Sequence, residues 1–159
     1  MRIEILCVGK IKEDFFAKAI AEYSKRIGKY CRLTITEVTD EKTPDGAGEA
    51  INAQILKKEG ERILGKLREE TFPVALAIEG KDMSSTELAG FVTDLMNSGK
   101  SDITFIIGGS LGLDSAVLDR AKLKLSFSRM TFPHQLMRII LLEQVYRAFK
   151  IINNEPYHK

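Results

Sequence analysis

Residues 103–112 read Ile103-Thr104-Phe105-Ile106-Ile107-Gly108-Gly109-Ser110-Leu111-Gly112. A short, mostly apolar run closed by glycines is a strand that ends in a turn. Near-continuous apolarity marks a strand covered on both faces, which is typical of parallel sheets. Val74–Ile78, following Pro73, reads the same way, as do Leu123–Phe127 and Ile3–Val8, which ends at Gly9. Arg32–Val38 alternates, with Leu33 and Ile35 on one face, and reads as an edge strand. Helical spacing fills the gaps. Phe16, Ala19, Ile20, Tyr23 and Ile27 form one stripe, and Leu56, Gly60, Ile63 and Leu67 another. Ser84 and Glu87 make a capping box for a helix that turns Leu88, Phe91, Val92, Leu95 and Met96 inward. Asp114 caps a short helix through Leu118, and a last helix runs from Pro133 to about Phe149. Strands alternating with helices predict an α/β fold, a mainly parallel sheet with helices on both faces. Ligands of such sheets collect beyond the carboxyl ends of the strands. The loops after Ile78, Ile107 and Phe127 therefore matter most.

The chain has 159 residues, 44% hydrophobic and 29% charged. This predicts a single domain over 1–159 with enough core to need no staple. Cys7 and Cys31 stand far apart and read as free thiols of a reducing cytosol. Glu4 and Lys10 interrupt the N-terminus before a signal-peptide core forms. No apolar stretch approaches the roughly 18 residues that span a bilayer. A cytoplasmic protein is expected. The net charge of +2 conceals an uneven distribution: residues 1–32 carry +4, residues 33–119 carry −8 and residues 120–159 carry +6. Both histidines, His134 and His158, fall in the last segment. A local anionic partner accounts for this pattern, and so do scattered solvated faces.

Glu79-Gly80-Lys81 forms the first expected loop, Gly108–Gly112 the second and Ser128–Phe132 the third. Glycines after a buried strand let a ligand approach the backbone, although a tight turn also requires them. The first strand is followed by Val8-Gly9-Lys10-Ile11-Lys12, without the glycine fingerprint of a dinucleotide site, and no Walker A loop is present. No Asp/Glu/His cluster has metal-ligand spacing, and Ser110 lacks the frame of a nucleophile elbow. In the third loop Phe127, Met130 and Phe132 form either an apolar slot for a planar ring or the core of a strand–helix junction. Ser128 and Thr131 would bond the ring's edge.

The last helix is apolar nearly all round, from Leu136 to Phe149. One stripe suffices against a sheet, so a second buried face predicts a symmetric dimer, with a central helix of a monomer as the alternative. Arg138, Arg147 and Lys150 lie on its less apolar side, as phosphate contacts or as charges at an interface rim. By spacing alone, Ile151–Lys159 is a frayed terminus.

Taken together, these segments resemble the minimal SPOUT-superfamily methyltransferases that modify pseudouridine at N3 in bacterial large-subunit ribosomal RNA. The resemblance covers the whole chain. It rests on Ile106–Gly112, on the run Leu125–Arg138, on Glu143-Gln144, Tyr146 and Arg147, and on the closing Pro156-Tyr157-His158. It implies a C-terminal trefoil knot, a homodimer with the last helix in its interface, and S-adenosylmethionine as cofactor. Implied cofactor contacts are Leu76, Gly108, Phe127, Ser128, Arg129, Met130, Thr131 and Phe132. His158 is then the candidate base for the imide proton, and Tyr157 would place the target ring. Arg138, Arg147 and Lys150 would hold phosphates of 23S ribosomal RNA, with the assembled ribosome as substrate. A non-enzymatic ribosome-binding factor and a generic nucleotide-binding α/β protein are the alternatives.

Overall fold

A computed structural model describes residues 1–159. Its strands are β1 (Arg2–Val8), β2 (Arg32–Val38), β3 (Phe72–Asp82), β4 (Asp102–Ile107) and β5 (Leu123–Ser126). Its helices are α1 (Asp14–Ile27), α2 (Glu49–Leu64), α3 (Ser85–Asn97), α4 (Ser115–Arg120) and α5 (His134–Ile152). The five strands form one parallel sheet in the order β2-β1-β4-β3-β5. β2 is an edge strand, as its alternation predicts.

The two-residue period of the strands sorts the core into two layers. Ile3, Ile5 and Cys7 of β1, with Ile103, Phe105 and Ile107 of β4, face α1, α3 and α5. Leu6, Val8 and Ile106 face the opposite way, against Ile63 of α2 and Val117 of α4. The fully buried Ile, Leu and Phe side chains each contribute about 1.5–3 kcal/mol by leaving water. Both expected caps form: Ser84 and Glu87 close a reciprocal box on α3, and Asp114 accepts the Ala116 amide at 2.9 Å. Cys7 and Cys31 are free and buried, and burial pushes both thiols up to about 11.

Four sequence expectations change in the fold, the first being that α2 ends at Leu64 and leaves Leu67 beyond it. Glu79-Gly80-Lys81 is not a free loop, because β3 continues to Asp82 with a register break against β5 between Leu76 and Lys81. Gly80 permits this bulge, since a Cβ there would lie 2.7 Å from the Lys124 backbone. Met96 is 41% exposed rather than turned inward. The C-terminal tail is packed, not frayed. Tyr157 lies edge-on to Tyr146 at 4.9 Å and beneath the Arg147 guanidinium at 4.6 Å, and Glu155 accepts from the Tyr30 hydroxyl at 2.7 Å. Aromatic contacts with residues distant in sequence outweigh the fraying that a polar terminus would otherwise show.

Candidate functional site

A cavity of about 610 Å³ opens at the carboxyl ends of β3, β4 and β5. It lies where the strand order places β5 beside β3 rather than beyond β4, the position at which open α/β sheets hold ligands. The β3 bulge supplies Leu76, Ala77 and Ile78, β4 supplies Ile107, and the glycine loop Gly108–Gly112 forms a second wall. Phe127, Ser128, Met130, Thr131 and Phe132 follow β5, and His134 and Met137 close the site from the first turn of α5.

The glycine loop is shaped from beneath. Its chain returns on itself through a Gly109–Gly112 bridge, and a Cβ on Gly108 would lie 2.2 Å from the Gly112 carbonyl. Both explanations of these glycines hold at once: the tight return requires them, and the loop they shape borders the cavity. Below the loop lies Glu59 of α2, only 4% exposed. Its Oε1 accepts the Glu41 amide at 2.9 Å, whereas its Oε2 has no hydrogen-bond partner and would meet a Gly109 Cβ at 2.9 Å. Burial raises the Glu59 carboxyl above the ordinary carboxylate range. The β2–α2 loop touches the same wall through Thr43 and Ser110, whose hydroxyls are 3.1 Å apart.

On the other side, Gly9 adopts a left-handed φ of 83°. That turn brings His134 so close that a Gly9 Cβ would lie 3.3 Å from its Nε2. Burial, with the neighbouring Arg138 guanidinium, lowers the His134 imidazole below the usual histidine range. This environment favours the neutral imidazole, which can both donate and accept a hydrogen bond.

Of the expected cofactor contacts, Leu76, Gly108, Phe127, Ser128, Met130, Thr131 and Phe132 line one cavity. Arg129 does not; it is exposed beside the mouth. Arg138 is 1% exposed and so is not a surface phosphate contact. Its guanidinium donates to Glu37 at 2.6 Å, to the Val8 carbonyl at 3.1 Å and to the Gly9 carbonyl at 2.6 Å. It pins α5 to the ends of β1 and β2. Arg147 is ion-paired with Glu143 at 2.6 Å and Lys150 with Glu155 at 2.5 Å. Tyr157 donates to Glu143 at 3.2 Å and packs on the later turns of α5. At about 1.5 Å per residue, those turns lie roughly 9–15 Å along the helix from Met137. Within one chain, neither Tyr157 nor the exposed His158 lines the cavity. Ala77, Ile78, His134 and Met137 line it without having been singled out as cofactor contacts. His134 lies in the Leu125–Arg138 run that carries the resemblance, but its place after Pro133 at a helix start does not mark its side chain as facing a ligand.

This fold and cavity define a ligand-binding α/β protein whose site is made from strand ends and a glycine loop. The family model described as "Predicted SPOUT methyltransferase" matches residues 1–158, and the chain belongs to that family, whose α/β fold is knotted. It is 59% identical, over all 159 residues and the whole of the relative, to ribosomal RNA large subunit methyltransferase H of Bifidobacterium adolescentis. It is 57% identical, again over both full lengths, to the protein of that name from Clostridium novyi. Among solved structures it resembles a probable methylase family protein from Haemophilus influenzae. There the TM-score is 0.53 and the identity 15%, over 99% of this chain and 70% of that one.

Proposed function

We propose that residues 1–159 act as one S-adenosylmethionine-dependent methyltransferase domain that methylates N3 of a pseudouridine in 23S ribosomal RNA on the assembled ribosome, in the cytoplasm. The full-length identity to the two named relatives supports the RNA substrate. The observation that carries the cofactor is the cavity, whose 610 Å³ falls within the roughly 300–1,000 Å³ of small-molecule sites. Its walls fit the group. Apolar Leu76, Leu125, Phe127 and Met137 accept a planar ring, while the glycine loop and the Ser128–Phe132 turn offer polar backbone atoms to its edge.

Bound there, S-adenosylmethionine supplies a methyl group already activated by its sulfonium. The chain's own task is to align the attacking nitrogen with that methyl and to accept the imide proton. His158 is assigned the proton and Tyr157 the positioning of the base. Because neither lines the cavity of its own chain, this assignment requires a second protomer to bring its tail to the site. The arrangement we infer for this is a symmetric dimer through α5. Leu136, Ile139 and Ile140 are only half-buried and stand outside both core clusters, forming a stripe that continues into Glu143 and Arg147.

Calorimetry with S-adenosylmethionine tests the cofactor, and no heat of binding counts against it. Methyl transfer to naked RNA, isolated subunits and whole ribosomes tests the substrate. Equal rates on all three remove the need for an assembled platform. Deletion of 157–159 abolishes transfer at saturating RNA if the tail acts in catalysis, and unchanged transfer removes its role. Light scattering reads the dimer, which I140E dissociates.

A further inference from the structure

The cations expected to hold RNA are engaged elsewhere. Arg138 is buried on backbone carbonyls, and Arg147 and Lys150 are paired within their own helix and tail. Yet residues 1–32 carry a net +4, which the proposed chemistry leaves without a role. The structure shows where some of that charge goes. Lys10 and Lys12 sit in the β1–α1 turn, and Lys18 is on the second turn of α1; all three are exposed and none forms an ion pair.

The turn is fastened to the cavity wall. The Lys12 amide donates to Gln135 Oε1 at 3.0 Å, and Gly9 packs on His134, itself a lining residue. The first turn of α1 then presents Phe15, 64% exposed, against Phe16 at 4.2 Å between ring centroids. Two further exposed apolar side chains, Met130 at 73% and Ile78 at 50%, line the cavity itself. One end of the sheet thus combines free lysines, an uncovered aromatic ring and the cavity mouth. Glu13 and Asp14 share the turn and reduce its net charge. Asp14 stands in the first turn of α1, where a carboxylate offsets the helix dipole.

Free lysines beside an exposed ring are the elements of single-stranded nucleic-acid binding: the cations neutralise phosphates and the ring stacks on a base. We propose that Lys10, Lys12, Phe15 and Lys18 form the RNA-docking rim of the cavity, with the lysines on the phosphates of the loop that carries the target and Phe15 stacked on a base next to it. This rests on the RNA methyltransferase reading above and moves the RNA footprint from the C-terminal helix to the N-terminal turn.

The test uses the full-length protein and three readouts. The K10A/K12A/K18A variant keeps the Lys12 amide and its bond to Gln135. S-adenosylmethionine affinity by calorimetry is expected to stay within about 2-fold, which establishes an intact cavity. Affinity for ribosomes falls at least 10-fold at moderate salt. Each lost phosphate contact lowers the slope of log K against log salt by about 0.7–0.9, so the slope drops by about 2 to 3. F15A weakens ribosome binding several-fold with the slope unchanged, and F15W restores it, because stacking is not an ionic contact. Wild-type ribosome affinity and salt slope in the triple variant overturn the rim. A shift of F15A from dimer to monomer in light scattering assigns Phe15 to a second copy instead, and also overturns it. If the wild-type protein binds ribosomes through this rim but transfers no methyl group, the methyltransferase reading fails while the docking surface stands.

Discussion

The two ends of the sheet treat polar groups in opposite ways. At the amino ends of the strands, Arg68 clamps Asp102 with two bonds of 2.6 and 2.5 Å and reaches Glu4 at 3.4 Å. Thr36 donates to Glu4, and Thr71 shares a hydrogen bond of 2.8 Å with Thr104. Apart from the buried Arg2 Nε, which has no partner, side chains there satisfy one another, and the result is a seam between β1, β2, β4 and the approach to β3. At the carboxyl ends, Arg138 is committed to backbone carbonyls, one oxygen of Glu59 lacks a partner, and glycines replace side chains along the cavity wall. A network that is fully paired holds strands together; a ligand site needs groups and space left open. Open space for a ligand is confined to the carboxyl end, where the Arg138 clamp also fastens α5 to the sheet.

Several substitutions sharpen this contrast. The largest stability effect is expected from R138A, although it sits at the open end. It strands the Val8 and Gly9 carbonyls and leaves Glu37 without its cation, so urea unfolding should show a loss of about 3–5 kcal/mol. A loss under 1 kcal/mol would show that α5 is held by its apolar face alone. Next is G108A. Its Cβ cannot coexist with the Gly112 carbonyl, and the overpacking strain of about 1–3 kcal/mol should appear as roughly 5- to 150-fold weaker cofactor binding in calorimetry. Unchanged affinity would mean that the loop is free to move.

At the closed end, R68A should cost about 1–2 kcal/mol, since the pair is only partly exposed and its bonds are charge-assisted. The linkage has a definite sign. Arg68 holds the Asp102 carboxyl below its ordinary range. That stability is therefore present above the ordinary carboxylate range and is lost as the pH falls through the depressed value. R68A should flatten the acid limb of a stability–pH curve, and an unaltered limb would assign acid unfolding elsewhere. The smallest effect, of opposite sign, is expected from E59Q. A carboxyl raised by burial loses stability as the pH rises through its folded value. The amide keeps an acceptor for Glu41 and carries no charge, so E59Q should unfold at a slightly higher temperature than wild type at pH 7 and at an equal one in acid. A lower temperature at pH 7 would show that the charged form is needed beneath Gly109.

Much of the fold was legible because strand and helix periods are local properties of the chain. Ile103–Ile107 had to be a covered strand, the Ser84–Glu87 box had to start a helix, and Arg32–Val38 alternates because an edge strand is covered unequally. The cavity was half legible. The glycine loop and the Ser128–Phe132 turn advertise themselves, whereas Ala77 and Ile78 look like ordinary strand residues until the β3 bulge exposes them. The charges misled most. Arg138 reads as a surface cation on an apolar helix, and nothing local reveals that the carbonyls of Val8 and Gly9, about 130 residues away, will enclose it.

The sequence by itself determined the alternation of elements, the two apolar layers, the capped helix starts and the membership of the C-terminal segments in one recognisable pattern. These follow from side-chain periodicity and turn chemistry, which act over a few residues. Only the tertiary structure decided which of the basic residues stay free, that the tail docks on α5 away from its own cavity, and that a carboxyl oxygen without a partner lies beneath the glycine loop. Those outcomes depend on pairs far apart in the chain. Their energies arise from excluding water around specific partners, which no local window contains.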